Sequence, residues 1–371
     1  MHKFKNIVFV LIFCGFLAVM SLGLLFFPKR DFSAVENRYL EQMPECSMED
    51  VMNGIYMYNL ERYVSDHVPL RDRWVQLHAS IERISGKNEN GGVYFAKKDT
   101  LLNRVDKPET TRIERNISYI NTFVQKCPVP VYFGLIPTAA QVWADRLPLY
   151  APTADEYQWI QTCYENCNAY SIDILRALTE HSEEAIFYRT DHHWTTLGAF
   201  YAVNEVFQSM GMDVLSDDDY EPVTVSENFY GTLWSTSGAW WTKPDTIEVW
   251  VPQKDIEVTS WFSTEPEPGN LYHDVYLEEK AQYSFFLGGN PPLCVIETEE
   301  SGKKLLVIRD SYADAIAPFL TEQFSEIHLF DLRYNKSNVL DYIYANEIDT
   351  VLILYGFSGF SEDRNLVFLS R

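Results

Sequence analysis

Positive charge is scarce in this chain. Its 371 residues hold 30 Lys and Arg against 53 Asp and Glu, a formal net charge of −23 at pH 7. The deficit sharpens past residue 30, where 26 basic and 53 acidic residues leave a net of −27. Nucleic acid and anionic lipid are both held by a basic footprint, so no nucleic-acid partner is expected. Histidine is scarce too, with eight residues and no His-x3-His spacing. The six cysteines are Cys14, Cys46, Cys127, Cys163, Cys167 and Cys294, and none pairs with another at a zinc-like spacing beside histidines. Neither a metal nor another cofactor is therefore expected. Cys163 and Cys167 stand four apart on one helix face, which leaves open a disulfide between them or to Cys127. Repeats and low-complexity tracts are absent.

Long apolar runs are also rare, and the one present is at the start. From Ile7 to Phe27 there is no charge, 21 residues against the roughly 20 that span a bilayer core as a helix. Lys3 and Lys5 precede the run; Pro28, Lys29 and Arg30 close it. It continues well past Ser21-Leu22-Gly23, where a signal peptidase would find small residues, so an uncleaved anchor is expected over 1–29. The flanking charges nearly balance. The acidic bulk is placed outside the cell because no second span follows.

Breakers and periodicity organise the remainder. Residues 30–90 read as a helical juxtamembrane segment, with Tyr56, Leu60, Tyr63 and Val64 at helical spacing. An interruption falls at 66–72, after which Trp74, Leu77, Ile81 and Ile84 resume the pattern. Gly91-Gly92 opens a domain over 91–371. It begins with a hairpin from Val93 to Leu102, a helix around Ile113–Val124, and a buried strand ending at Ile136. Helices over 155–168, from Leu175, and over 196–210 alternate with a short strand at Ala185–Tyr188. Strands at 304–308, 326–332 and 349–354 alternate with helices at 313–324 and 339–345. This rhythm predicts an α/β fold, a parallel sheet with helices on both faces. Residues 212–300 break the rhythm as an insertion. It holds Trp234, Trp240, Trp241, Trp250 and Trp261, aromatic surfaces suited to core packing or to stacking on sugar rings.

Two segments carry chemistry. In Tyr188-Arg189-Thr190-Asp191-His192-His193-Trp194-Thr195, an Asp and a His two apart in an extended loop point the same way. The carboxylate can then fix the tautomer of His193 and stabilise its imidazolium. In Leu305-Leu306-Val307-Ile308-Arg309-Asp310-Ser311-Tyr312, an apolar strand delivers Ser311 to the start of a helix, where N–H groups favour negative charge. Nucleophile, base and orienter are the three groups of an acyl-transfer site. Either segment alone reads equally well as a capped helix start. Metal ligation by Asp191, His192 and His193 is disfavoured by the histidine spacing.

These residues resemble a known family. Thr190-Asp191-His192-His193-Trp194-Thr195 is similar to the signature of the DHHW family of bacterial surface proteins. Ile308 to Tyr312, Pro318-Phe319-Leu320, Phe330-Asp331-Leu332-Arg333-Tyr334, Leu287-Gly288-Gly289-Asn290 and Glu36-Asn37-Arg38 look like further blocks of it. DHHW proteins are in turn similar to the periplasmic alginate O-acetyltransferases. Their SGNH-hydrolase-like domain carries Asp-x-His ahead of Ser, a circular permutation of the usual order. The resemblance implies Ser311 as nucleophile, His193 as base and Asp191 as orienter. The chain departs from the SGNH pattern in having Arg309 where Gly precedes Asp-Ser, and Tyr355-Gly356-Phe357 in place of a Gly-x-Asn-Asp block. Arg333, Asn290, Arg309 and Tyr312 are the oxyanion or substrate-binding candidates. The implied activity is O-acetyl transfer to a surface or secreted polysaccharide, with the acyl donor delivered by a membrane-bound O-acyltransferase. The implied location is the membrane of a Gram-positive-type cell. Attack by water would make an esterase of the same residues, and a silent site would leave a glycan-binding or assembly protein.

Overall fold

The computed structural model describes residues 2–33, 35–36, 38–299 and 301–370. Of the Glu36-Asn37-Arg38 block, Asn37 lies outside the described residues. Residues 1–90 with 235–240 form one compact unit, and 91–234 with 241–371 form another.

The first unit opens on the helix His2–Phe26, whose Phe4–Phe26 stretch has mean hydropathy 2.8. That stretch is long and apolar enough to cross a membrane. Helices Ile55–Asp66 and Arg71–Ile84 follow, separated where the sequence breaks its helical period. Arg38 donates to both oxygens of the buried Asp66, at 2.9 and 2.5 Å, and Glu41 N–H adds a third bond at 2.9 Å. Six residues of the insertion belong here. Asn90 Nδ2 donates to the Ser237 carbonyl and Trp240 Nε1 to Ser80 Oγ, both at 2.8 Å.

The second unit is built on an eight-stranded sheet. Numbered along the chain, its strands are β1 (Val131–Ile136), β2 (Tyr170–Ile172), β3 (Ile256–Trp261) and β4 (Glu267–Gly269). They continue as β5 (Leu293–Thr298), β6 (Lys304–Arg309), β7 (Glu326–Phe330) and β8 (Thr350–Gly356). The spatial order is β4-β3-β5-β7-β6-β8-β1-β2. Strands β7, β6, β8, β1 and β2 are parallel, as the alternation predicts. Leu305 to Ile308 and Val351 to Leu354 are fully buried, the continuous apolar reading of strands covered on both faces.

The insertion that breaks the alternation supplies β3, β4 and β5 as an antiparallel edge against β7. Two sequence expectations differ. Ala185–Tyr188 is no sheet strand. It closes on its own loop instead, through the Phe187–Trp194 bridge and the bond from Thr195 N–H to the Ile186 carbonyl at 3.0 Å. The helix expected to Phe324 stops at Leu320, two residues past Pro318. The helices used below are α1 (Thr110–Lys126), α2 (Ile174–Glu180), α3 (Thr196–Ser209), α4 (Ala313–Leu320) and α5 (Phe357–Glu362). Helix α3 packs on α2 and α4, and α1 packs on α5. All six cysteines are free thiols.

Candidate active site

Strand β6 ends at Arg309, and Asp310 to Tyr312 turn directly into α4. Asp310 fixes this turn. Its Oδ1 accepts from Tyr312 N–H at 3.1 Å and its Oδ2 from Gly356 N–H at 2.8 Å, tying the ends of β6 and β8 together. A side chain at 356 would have no room: its Cβ would meet the Tyr312 ring at 2.8 Å.

The second contributor is the loop between Tyr188 and α3. Tyr188 N–H donates to the His193 carbonyl at 3.1 Å, and Thr195 Oγ1 caps α3 by accepting from Gly198 N–H at 3.3 Å. Two bonds lock this loop onto the serine turn. Trp194 Nε1 donates to the Tyr312 carbonyl at 3.0 Å, and Tyr312 Oη donates to the His192 carbonyl at 2.5 Å.

Ser311, His193 and Asp191 meet as a result. Ser311 Oγ lies 2.8 Å from His193 Nε2, and His193 Nδ1 lies 2.6 Å from Asp191 Oδ1. Asp191 and His193 are buried, while Ser311 is half-buried. Asp191 Oδ1 also accepts from His193 N–H at 3.0 Å. Its Oδ2 accepts from Thr232 N–H at 2.7 Å and Thr232 Oγ1 at 2.9 Å. Burial alone would raise the Asp191 carboxyl. The adjoining His192 and His193, with the Thr232 N–H, outweigh it and hold the group well below the ordinary carboxylate range. The arrangement therefore presents a fixed carboxylate, an oriented imidazole and a hydroxyl within proton-transfer distance.

Ligand atoms of Asp191, His192 and His193 lie within 4.8 Å of one another, close enough to share a metal ion. Each residue is already committed to hydrogen bonds, however, and His192 Nδ1 shares one of 2.8 Å with Thr232 Oγ1.

The remaining sequence candidates divide. Arg333 and Tyr312 line a cavity of about 270 Å³ that opens at Ser311, together with Asn103, Thr138, Tyr355 and Asp363. Arg333 is held by Asp331 and by Asn290 Oδ1, the latter at 2.9 Å. Asn290 thus orients Arg333 and is not among the cavity-lining residues. Arg309 requires a correction. It is fully buried and bonds Asp314 at 2.6 Å, so it lies beneath the site and cannot reach a substrate. Arg309 occupies the glycine position because its guanidinium runs back into the core toward α4. Two of the insertion's five tryptophans pack against the protein itself: Trp250 sits in the core beside Phe200 and Phe319, and Trp241 packs edge-on to Phe95.

Sequence reasoning missed four residues, all from the insertion. Tyr283 stacks on the His193 ring at 3.7 Å and 9°, and its hydroxyl donates to the Ser311 carbonyl at 3.3 Å. Thr232 braces Asp191, and Gly231 makes room for it. Lys280 lies 4.5 Å over the Trp234 ring, and burial pushes its ammonium down to about 8 although Asp191 draws it upward. No local pattern marks these residues, because their meaning depends on where β3 to β5 return the chain.

Fold and site together define an SGNH-hydrolase-like α/β protein. The chain belongs to the DHHW family, whose family model, described as DHHW protein, matches residues 112–330. The resemblance carried by the Asp-His-His-Trp block is thereby borne out. The crystal structure of a DHHW family protein from Eubacterium siraeum is 26% identical and covers 76% of this chain and 95% of that one, with a TM-score of 0.68. PatB1 from Bacillus cereus, solved with a sulfonyl adduct, shares the fold at 21% identity, 74% and 97% coverage and a TM-score of 0.63. A probable alginate O-acetylase, AlgJ of Pseudomonas syringae pv. tomato, is 21% identical over 217 residues, 56% of this chain and 52% of that protein. The chain thus spans about half the length of the curated relative it matches.

Proposed function

We propose that this protein is a serine-dependent O-acyltransferase that moves an acyl group, acetyl in the first instance, onto a hydroxyl of a surface or secreted polysaccharide. The observation that carries the reading is the 2.8 Å approach of Ser311 Oγ to an imidazole whose other nitrogen is held by Asp191. The name of the related AlgJ, an alginate O-acetylase, supports acetyl and a glycan as the transferred group and acceptor.

In this reading His193 Nε2 takes the Ser311 proton as Oγ attacks the acyl carbonyl, and returns it to the leaving group. Asp191 stays ionised and stabilises the imidazolium between these steps. The acceptor hydroxyl then gives His193 its proton, attacks the acyl-serine and releases Ser311. Tyr312 and Gly356 N–H groups are engaged by Asp310, which leaves Ser311 N–H as the donor offered to the carbonyl oxygen. The apolar helix at 4–26 supports a single-pass anchor. In this reading the acidic bulk lies outside, where a membrane-bound O-acyltransferase would have to supply the acyl group.

Turnover of p-nitrophenyl acetate by the full-length chain in detergent tests this, beside Ser311→Ala and His193→Ala. Loss of nitrophenol release in both variants is expected. Equal rates in all three proteins would refute the serine mechanism.

A further inference from the structure

The wall of the Ser311 cavity contains a polar group the chain itself leaves unanswered. Tyr355, near the end of β8, is 2% exposed, and its hydroxyl has no hydrogen-bond partner among the described residues. An unpaired buried hydroxyl is costly, and such an orphan calls for a ligand to complete it. Tyr355 lines the cavity with Asp310, Asp363, Arg333 and Asn103, and the charges of the first three act on its hydroxyl. Arg333 keeps a donor in hand as well. Its Nε and Nη2 bond Asp331 and Asn290, while Nη1 has no partner among the described residues.

We propose that this cavity is the acceptor subsite, and that Tyr355 Oη and Arg333 Nη1 hold hydroxyl groups of a polyhydroxylated acceptor beside Ser311. The inference rests on the acyltransferase reading and assigns the side from which the second substrate enters. An oxyanion is the wrong occupant for Tyr355, because the Asp310 and Asp363 carboxylates would repel it. A neutral sugar hydroxyl suits the same wall, since it donates to a carboxylate and accepts from a phenol or guanidinium. Burial, with Asp363 and Asp310 nearby, raises the Tyr355 phenol well above its ordinary range and keeps it a donor. With the acceptor seated, its reacting hydroxyl gives its proton to His193 Nε2 as its oxygen bonds the acyl carbon. The carbonyl electrons then return, the Ser311 Oγ–carbon bond breaks, and Oγ recovers the proton from His193.

The experiment uses the full-length chain in detergent, p-nitrophenyl acetate as donor and methyl β-glucoside as acceptor probe. Tyr355→Phe should lower transfer to the glucoside relative to hydrolysis about tenfold, the loss of one hydrogen bond, by raising the KM for glucoside. The nitrophenol burst should fall far less. The thermal midpoint should hold or rise, since the deleted hydroxyl bonds nothing among the described residues. An unchanged transfer-to-hydrolysis ratio would overturn the proposal, as would burst and transfer falling together. A wild-type acyl-serine that never acylates the glucoside would overturn it too. If Ser311→Ala and His193→Ala release nitrophenol as fast as the wild type, the serine mechanism fails by itself. Ligand-observed NMR of methyl β-glucoside then decides the subsite: binding lost in Tyr355→Phe supports it, and binding absent or equal in both proteins contradicts it.

Discussion

Gly231 passes so near Asp191 that a Cβ added to it would stand 2.7 Å from the Asp191 Cα and closer still to its side chain. This contact sets the height of the carboxylate under His193, and Thr232 N–H bonds the same carboxylate one residue later. Gly231→Ala must therefore push Asp191 aside. A displacement on the order of an ångström costs roughly a hundredfold in rate, and the overpacking costs about 1–3 kcal/mol of stability. Acetate release measured beside a urea titration separates the two. A variant with wild-type kinetics would show that Asp191 is not held by this contact.

Arg309 and Asp314 form a buried pair, 0% and 2% exposed at the side chain. Arg309→Met strands the Asp314 carboxylate and should cost about 3–5 kcal/mol in denaturant unfolding, while Arg309→Met with Asp314→Leu should regain most of that. Activity per folded molecule should survive in the double variant. Stability restored with activity abolished would return Arg309 to the substrate side.

Glu156 is buried where its oxygens accept from Thr138 N–H and Oγ1 at 2.9 and 2.5 Å, and burial pushes its carboxyl up to about 7. A carboxyl raised above its unfolded value of about 4.3 favours folding while protonated. That advantage is full below the unfolded pKa and is lost as pH climbs to about 7. Between those values the native chain binds more protons than the unfolded one, so stability falls with pH, by roughly 4 kcal/mol in all. Glu156→Gln can keep both Thr138 contacts without titrating. Urea unfolding at pH 5 and pH 8 should show the variant gaining on wild type by about 2–3 kcal/mol, the share of that loss falling between the two pH values. Parallel changes in both proteins would contradict the assignment.

Much of this molecule was legible in its residues. The runs Leu305–Ile308 and Val351–Leu354 predict parallel strands because both faces of such a sheet are buried. The two-residue offset of Asp191 and His193 predicts a shared direction in an extended loop. The capped start of α3 at Thr195 likewise follows from the sequence. The parts that were not legible depend on return paths. Nothing around Tyr283 or Thr232 indicates that the insertion joins the sheet and sets them against His193 and Asp191. Arg309 misled for a related reason: its position in the serine block says where its backbone lies, and only packing against Asp314 says where its guanidinium goes.

The account stands on Ser311 Oγ becoming acylated with His193 as its base. Wild type, Ser311→Ala and His193→Ala should each be quenched in acid within the first turnovers on p-nitrophenyl acetate and examined by peptide mass spectrometry. The account predicts a single acetyl on the peptide carrying Ser311 in the wild type, absent from Ser311→Ala and strongly reduced in His193→Ala. No acetyl on Ser311 while nitrophenol is released, or equal labelling with His193 removed, would contradict it.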